Sequence, residues 1–327
     1  MRKRHEKSDN IMHIKESENR FYATIAGQTN NQGRYDCLVL FSGGKDSTYI
    51  AHTVKQKTGA RVCLFAVDNG FEHRTFTDNV RAQAWNLGCD LYIFQAQEEQ
   101  FTRFYNFLIT EPSLKEIDTN PLCFFCGRYI MASGVEFAEK MNIPLVFYGA
   151  TPDQIHQAAK PKSLREIEIF QMVSRRAFMG YYHKIRKLSR YREDPVVKKA
   201  VDTVFYVPKA VRLMFPFQYI PYHPEKIKQT LERDLGWKNP TTGLSNNNYL
   251  TSGCKMVQLF GILAKNAGFV PHESEQFKKE YERGIISKAA YEYNQSQLQN
   301  IMNAKITPEI KKLAKRLNLD QMLKYTD

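Results

Sequence analysis

From residue 36 the chain alternates short apolar runs with amphipathic stretches. Asp36-Cys37-Leu38-Val39-Leu40-Phe41 is nearly continuous in apolar character and of strand length, the pattern of a strand buried on both faces. Helical spacing follows over residues 47 to 58. Residues 61 to 67 form a second apolar run, and residues 72 to 87 a second helix closed by Gly88 as C-cap. A third strand is predicted over 91 to 94 and a third helix over 98 to 109. A further helix over 127 to 141 stops before Pro144, and residues 145 to 148 make a fourth strand. Strands alternating with helices predict βαβ units, hence an α/β fold: a parallel sheet with helices on both faces.

Past Pro152 the pattern changes. No further strong strand is expected, and helices are predicted over 163 to 200, 223 to 235, 256 to 266 and 273 to 326. Phe215-Pro216-Phe217-Gln218-Tyr219-Ile220-Pro221-Tyr222 reads as an irregular connector, because its prolines break both regular structures. The expected organisation is an N-terminal arm over 1 to 34 with room for one short helix, an α/β domain over 35 to 155, and a mainly helical domain over 156 to 327. The boundary falls near 152 to 162.

Composition fits a globular chain: 327 residues, 43% hydrophobic and 25% charged, enough for one large domain or two ordinary ones. No apolar run approaches the ~18 residues of a membrane span. The basic N-terminus Met1-Arg2-Lys3-Arg4 has no apolar stretch after it, so no signal peptide is expected and the reading is cytoplasmic. With no secretory signal, the six cysteines argue against a disulfide framework. Cys37, Cys63 and Cys89 lie in or next to apolar runs and read as core residues. The net charge is +13, and residues 160 to 199 carry +8 of it, with twelve Lys or Arg against four Asp or Glu. Two readings stay open: a solvated helical face, or a surface for a polyanion such as RNA, a nucleotide-linked sugar or anionic lipid.

The most informative segment is Ser42-Gly43-Gly44-Lys45-Asp46-Ser47, which follows the first strand and opens a helix. A helix N-terminus offers unpaired N–H groups and partial positive charge to a phosphate. Gly43 and Gly44 allow close backbone approach and positive φ. Lys45 adds a full charge, and the hydroxyls of Ser42 and Ser47 can donate to phosphate oxygens. Asp46 repels phosphate, so its expected task is to hold a bridging Mg²⁺. The Walker A spacing is absent.

Pro121-Leu122-Cys123-Phe124-Phe125-Cys126-Gly127-Arg128 carries a Cys-x-x-Cys just before a predicted helix, and Cys254 lies far along the chain. Three readings stand: incidental core cysteines; a Zn²⁺ site completed by a His such as His156; or a [4Fe–4S] cluster on three thiolates with one iron open.

The phosphate loop resembles the pyrophosphate loop of the N-type ATP pyrophosphatases, whose pattern is Ser-Gly-Gly-x-Asp-Ser. That resemblance implies ATP as ligand, cleaved between its α- and β-phosphates, on a HUP/Rossmann-like fold, with Lys45 and Asp46 at the centre of the chemistry. It implies adenine recognition by backbone at the end of the second strand, at Val67 and Asp68, and an acidic residue after the fourth, where Asp153 stands. Tyr222-His223-Pro224-Glu225-Lys226-Ile227-Lys228, Leu235-Gly236-Trp237, Cys254-Lys255 and Arg283-Gly284-Ile285-Ile286-Ser287 further resemble N-acetyl sugar amidotransferases of lipopolysaccharide biosynthesis, over residues 36 to 293. The +8 charge over 160 to 199 offers cations, Arg175 or Arg176 for instance, to an anionic acceptor, and the resemblance implies a nucleotide-sugar before tRNA. It also implies ammonia from a separate glutaminase subunit. The three cysteines, by contrast, are similar to the cluster-binding set of pyrophosphatase-type tRNA thiolases. The chain departs from the amidotransferase pattern in having no cysteine over 1 to 34, Gly149-Ala150 where Gly-Glu is usual, and Tyr281-Glu282-Arg283-Gly284 near the C-terminus.

Overall fold

The structure, a computed structural model, describes residues 17–29, 33–114, 121–151, 179–206, 210–238, 254–266, 272–303 and 305–323. A helix over 17–26 (α1) leads in. Then come β1 (Cys37–Leu40), α2 (Lys45–Thr58), β2 (Val62–Asp68), α3 (Arg74–Leu87), β3 (Asp90–Gln95), α4 (Glu98–Thr110), α5 (Pro121–Lys140) and β4 (Leu145–Phe147). After them follow α6 (179–185), α7 (Ser189–Glu193), α8 (Pro195–Val204), β5 (Arg212–Met214), α9 (Pro224–Leu235), α10 (Lys255–Asn266), α11 (His272–Glu282), α12 (Lys288–Met302) and α13 (Pro308–Arg316). Among the described residues no helix is long and apolar enough to cross a membrane.

The five strands form one sheet in the order β3-β2-β1-β4-β5, and every pairing is parallel. From β1 the chain winds outward to β2 and β3. It then returns to the other side of β1 for β4 and β5. The strand order therefore reverses between β1 and β4, and a crevice opens outside their carboxyl ends, where open α/β sheets bind ligands.

The inner strands β1 and β4, and most of β2, are apolar because both faces are covered, whereas the edge strand β3 is largely exposed. Cys37 and Val39 point to a core shared with Phe21 and Ile25 of α1, Ile50 and Val54 of α2, Val80 and Ala84 of α3, and Ile227 and Leu231 of α9. Leu38 and Leu40 point the other way, onto Val135 and Ala138 of α5. Each such burial contributes roughly 1.5–3 kcal/mol. A third core joins α4 and the start of α5 to α8, α10 and α13.

The parallel sheet covered on both faces and the predominantly helical C-terminal half are as expected from sequence. Three local expectations are corrected. A fifth strand, β5, lies beyond residue 152. It is three residues long and its pairing is extended by Arg212 N–H to the Pro144 carbonyl (2.9 Å) and Tyr148 N–H to the Met214 carbonyl (3.0 Å). The Cys-x-x-Cys lies inside α5 rather than before it. The helical stretch expected over 273 to 326 is divided at Gly284, which has φ 68°, and at Pro308, where Thr307 caps α13 by accepting from the Ile310 N–H. The helix expected over 163 to 200 lies outside the described residues up to 178. Its described part is interrupted at Asp194-Pro195, where the Asp194 side chain accepts from the N–H groups of Val196 and Val197.

At the amino ends of the strands, Asp36 is 1% exposed. It accepts from the backbone N–H (2.7 Å), Nε (3.1 Å) and Nη2 (2.6 Å) of Arg61, tying the starts of β1 and β2 together. Burial opposes its ionisation, but the Arg61 hydrogen bonds and charge outweigh burial and hold the carboxyl below its ordinary pKa. A depressed folded-state pKa contributes stability above the unfolded pKa, and that stability is lost as pH falls through the folded value. Asp36→Asn should therefore lower unfolding stability near neutral pH by about 1–3 kcal/mol, with the gap to wild type closing below about pH 4. Urea melts of both proteins at about pH 7 and about pH 3 check this; a constant gap would count against it.

Candidate functional site

The segment between β1 and α2 is shaped by Gly43. Its φ is 70°, and a Cβ there would sit 3.0 Å from both Asn79 Nδ2 and Val80 Cα. Backbone conformation and the close approach of α3 each demand glycine. The Gly43 carbonyl accepts from Asn79 Nδ2 at 2.7 Å and from Trp237 Nε1 at 3.1 Å. Gly44 is the N-cap of α2, with φ −72° and ψ 165°, and brings no capping side chain. The positive end of a 14-residue helix thus faces the crevice beside β1.

Ser42 and Ser47 brace this loop. Ser47 Oγ accepts from the Ser42 N–H at 3.2 Å and donates to the Gly44 carbonyl at 3.3 Å. Ser42 Oγ accepts from the Gly44 N–H at 3.3 Å, and the two hydroxyl oxygens are 3.2 Å apart. The hydroxyls expected to donate to phosphate hold each other and the backbone here.

Lys45 is 5% exposed. Its Nζ donates to both oxygens of Asp46, at 2.8 and 2.7 Å, and to Tyr222 Oη at 3.0 Å. A buried cation needs this compensation, and removing one partner strands the other charge. Asp46 keeps a quarter of its side chain exposed at the crevice. One carboxylate together with ligand phosphates is a usual way to hold Mg²⁺, so Asp46 suits that ion once Lys45 lets it go. The loop after β4 closes on the same place: a Cβ on Gly149 would lie 3.5 Å from Ser47 N. Asp153 and His156 lie outside the described residues.

Val67 and Asp68 stand at the carboxyl end of β2, beside Phe94 and Gln95 of β3. Asp68 Oδ1 accepts from the Gly70 N–H and Asn69 Oδ1 from the Phe71 N–H, both at 2.8 Å. Two consecutive side-chain turns of this kind fold Asp68 onto its own loop. Arg316 from the end of α13 locks the loop from outside. Its Nη1 donates to the Gly70 carbonyl at 3.1 Å, and its guanidinium carbon lies 4.1 Å from the centre of the Phe71 ring.

Next to this loop lie Cys254 and the Cys123–Cys126 pair. Cys123 and Cys126 are one helical turn apart on α5, hence on one face. Cys254 bridges to Glu72 backbone to backbone, and Asn69 Nδ2 reaches Cys254 Sγ at 3.9 Å. Asn69 also hydrogen-bonds Cys126, and Cys254 feels Glu72, Cys126 and Cys123 electrostatically. Tyr105 Oη lies 3.1 Å from Cys126 Sγ. Burial pushes the Cys126 thiol up to about 11 in spite of the Tyr105 hydrogen bond. Burial, then Glu72, raises Cys254. Burial and Asp68 push Glu72 up to about 7 against its Asn69 hydrogen bond. Three thiols are the right donor chemistry for a soft metal. Among the described residues, however, no three His, Cys, Asp or Glu side chains stand as a group that could hold a metal ion.

Asn79, Tyr222 and Trp237 hold the loop and had no role in the sequence reading; nor had Asn69, Glu72, Tyr105 and Arg316. Tyr222 and Trp237 did fall within segments noted for resemblance. The contacts themselves span 177 and 194 residues and leave no local pattern.

No protein-family profile matches the chain, and no curated protein matches it. Solved structures do. A U34-tRNA thiolase from Methanococcus maripaludis, solved with its [4Fe–4S] cluster, is 16% identical over 90% of this chain and 81% of its own, with TM-score 0.39. The NMN synthetase of Francisella tularensis is 13% identical over 90% and 98%, with TM-score 0.41. An NH3-dependent NAD synthetase from Campylobacter jejuni is 12% identical over 90% and 97%, with TM-score 0.39. Likeness at this level does not bear on function.

Gly43→Ala should be costly for two separate reasons. Left-handed backbone costs an alanine roughly 1–2 kcal/mol, and the new methyl must push α3 away. A denaturant melt is expected to show a loss of at least about 1 kcal/mol. Stability equal to wild type would mean that the loop does not hold this conformation in solution.

Proposed function

We propose that this chain is an N-type ATP pyrophosphatase that adenylates an amide or carbonyl oxygen for nitrogen transfer, with an N-acetyl sugar of surface polysaccharide synthesis as acceptor. The observation that carries this reading is the placement of Lys45 and Asp46 on the first turn of α2, at the point where the strand order reverses. The uncapped helix start, the glycine backbone and Lys45 make a cradle for a polyphosphate. Asp46 would hold Mg²⁺, which neutralises phosphate charge when bound.

The chemistry follows from what such a cradle stabilises. The acceptor's oxygen attacks the α-phosphorus, the bond from that phosphorus to the bridging oxygen breaks, and pyrophosphate leaves into the cradle. Lys45 and the loop N–H groups offset the charge of the leaving group, so catalysis is mainly positioning and electrostatics. Ammonia then adds to the activated carbon, AMP departs with the former acceptor oxygen, and loss of a proton leaves an amidine. In this reading the ammonia comes from a separate glutaminase subunit. Residues 35 to 155 carry ATP, and residues 156 to 327 receive the acceptor.

A second reading is favoured by one observation, the electrostatic proximity of Cys254 to Cys126 and Cys123 beside the β2 loop. In that reading the transferred atom would be sulfur, into tRNA or a small molecule, although the three thiols as placed do not form a group that could hold a [4Fe–4S] cluster or Zn²⁺. Two measurements separate the readings. Anaerobically purified protein should contain no stoichiometric iron and sulfide under the first reading. Binding of a UDP-linked N-acetyl sugar should depend weakly on salt, whereas tight binding of bulk tRNA with a steep salt slope would put sulfur transfer first.

Lys45→Ala and Asp46→Ala should each lower pyrophosphate release with an acceptor by at least about 10²-fold. Circular dichroism should show the fold retained. Turnover close to wild type in either variant would sink the assignment.

A further inference from the structure

We infer that Tyr222 and Trp237, the residues flanking α9, are positioning residues for the phosphate loop: Tyr222 holds the Lys45 ammonium in place, and Trp237 holds the Gly43–Gly44 peptide in its anion-accepting orientation. This inference rests on the proposed ATP reading.

The Trp237 argument starts from the peptide group. In a trans peptide the C=O and the following N–H point to opposite sides, and the described residues contain no cis peptide bond. The Gly43 carbonyl is turned toward Asn79 and Trp237. The Gly44 N–H therefore faces away from them, toward Ser42 Oγ and the loop interior. Gly43 is the residue least able to resist a peptide flip, since glycine accepts both signs of φ. A flip would aim a carbonyl lone pair where a phosphate oxygen has to sit. Two donors on one carbonyl oppose that flip. Trp237 is 1% exposed, so its N–H has no water in place of Gly43.

The Tyr222 argument starts from donor number. A lysine ammonium has three N–H bonds. In Lys45, two are directed to Asp46 and one to Tyr222. To meet a phosphate, Lys45 has to give up Asp46, which is free to turn to Mg²⁺. The bond to Tyr222 survives that exchange and keeps Nζ beside the loop while the other two N–H groups are re-aimed. Tyr222 is itself held, edge-on to Phe217 at 4.9 Å, and Phe217 stacks on Tyr49 of α2 at 6.4 Å.

Both residues are fixed by the seat of α9. Asp234 Oδ2 lies 3.0 Å from His52 Nε2 on α2, and Asn86 Nδ2 of α3 donates to the Leu235 carbonyl at 3.1 Å. Gly236, at φ 59°, ends α9 and turns the chain toward Trp237.

The test uses the full chain and titrates the uncleavable α,β-methylene analogue of ATP with Mg²⁺ by calorimetry. Tyr222→Phe and Trp237→Phe keep an aromatic ring; the first deletes the hydroxyl oxygen that accepts from Lys45 and the second the N–H that donates to the Gly43 carbonyl. Each should weaken analogue binding by about tenfold or more. In a Lys45→Ala background Tyr222→Phe should cost nothing further, because its effect passes through Lys45. Benzothienylalanine at position 237 keeps the two-ring shape without an N–H and replaces Trp237→Phe if that variant does not fold. Wild-type affinity in both variants would overturn the inference, and so would an undiminished Tyr222→Phe effect in the Lys45→Ala background. Wild-type protein that does not bind the analogue would overturn the ATP reading itself, and the inference with it.

Discussion

Gly43 can be only glycine, and its carbonyl is turned outward onto α3 and Trp237. The rest of the site follows from that orientation. The outward carbonyl lets the chain enter α2 with its N–H groups pointing into the crevice. Lys45 and Asp46 follow on the first turn of α2, where the lysine's buried charge is met by the neighbouring carboxylate. The serines, whose hydroxyls look like ligand donors in the sequence, are used to keep the turn closed.

Two electrostatic arrangements sit side by side at the carboxyl ends of β1 and β2, and they solve burial in opposite ways. At β1 a buried lysine stays with a carboxylate and a phenol, so charge is kept and compensated. At β2 a buried carboxyl sits among thiols with only an amide to help it. Desolvation there works against ionisation of every member, since each would gain a like negative charge. The first arrangement suits exchange of one anion for another. The second accumulates negative charge only in company with a cation.

Much of this was legible in the sequence. The apolar runs at 36–41 and 61–67 are long enough, and apolar enough, to be strands buried on both sides. The glycine pair directly after the first of them marks the tight turn into α2. What failed to show has physical causes. β5 is three residues with an arginine in it, and it exists because the edge of β4 offers it hydrogen bonds. The Cys-x-x-Cys reads as lying just before a helix over 127 to 141, but α5 begins at Pro121, where a proline needs no N–H partner, and so takes in both cysteines. The Asp68 side chain closes a turn onto the Gly70 N–H, as an aspartate two residues before a glycine readily does; the adenine reading concerned the backbone at Val67 and Asp68.

The contributions of the C-terminal half follow a common rule. Tyr222, Trp237, Cys254 and Arg316 come from four different places beyond residue 215, and each meets a loop at the carboxyl end of β1 or β2. Loops at strand ends have no sheet hydrogen bonds to hold them. Their carbonyls and turns have to be fixed by groups arriving from outside. Two of the four contacts are N–H donors to a backbone carbonyl: Trp237 to Gly43 and Arg316 to Gly70. Both carbonyls belong to glycines with positive φ. Where the backbone is least restrained by its own side chain, a distant residue supplies the restraint. The helical half therefore does more than cover the sheet: it sets the shape of the loops at which any ligand of this fold would be read.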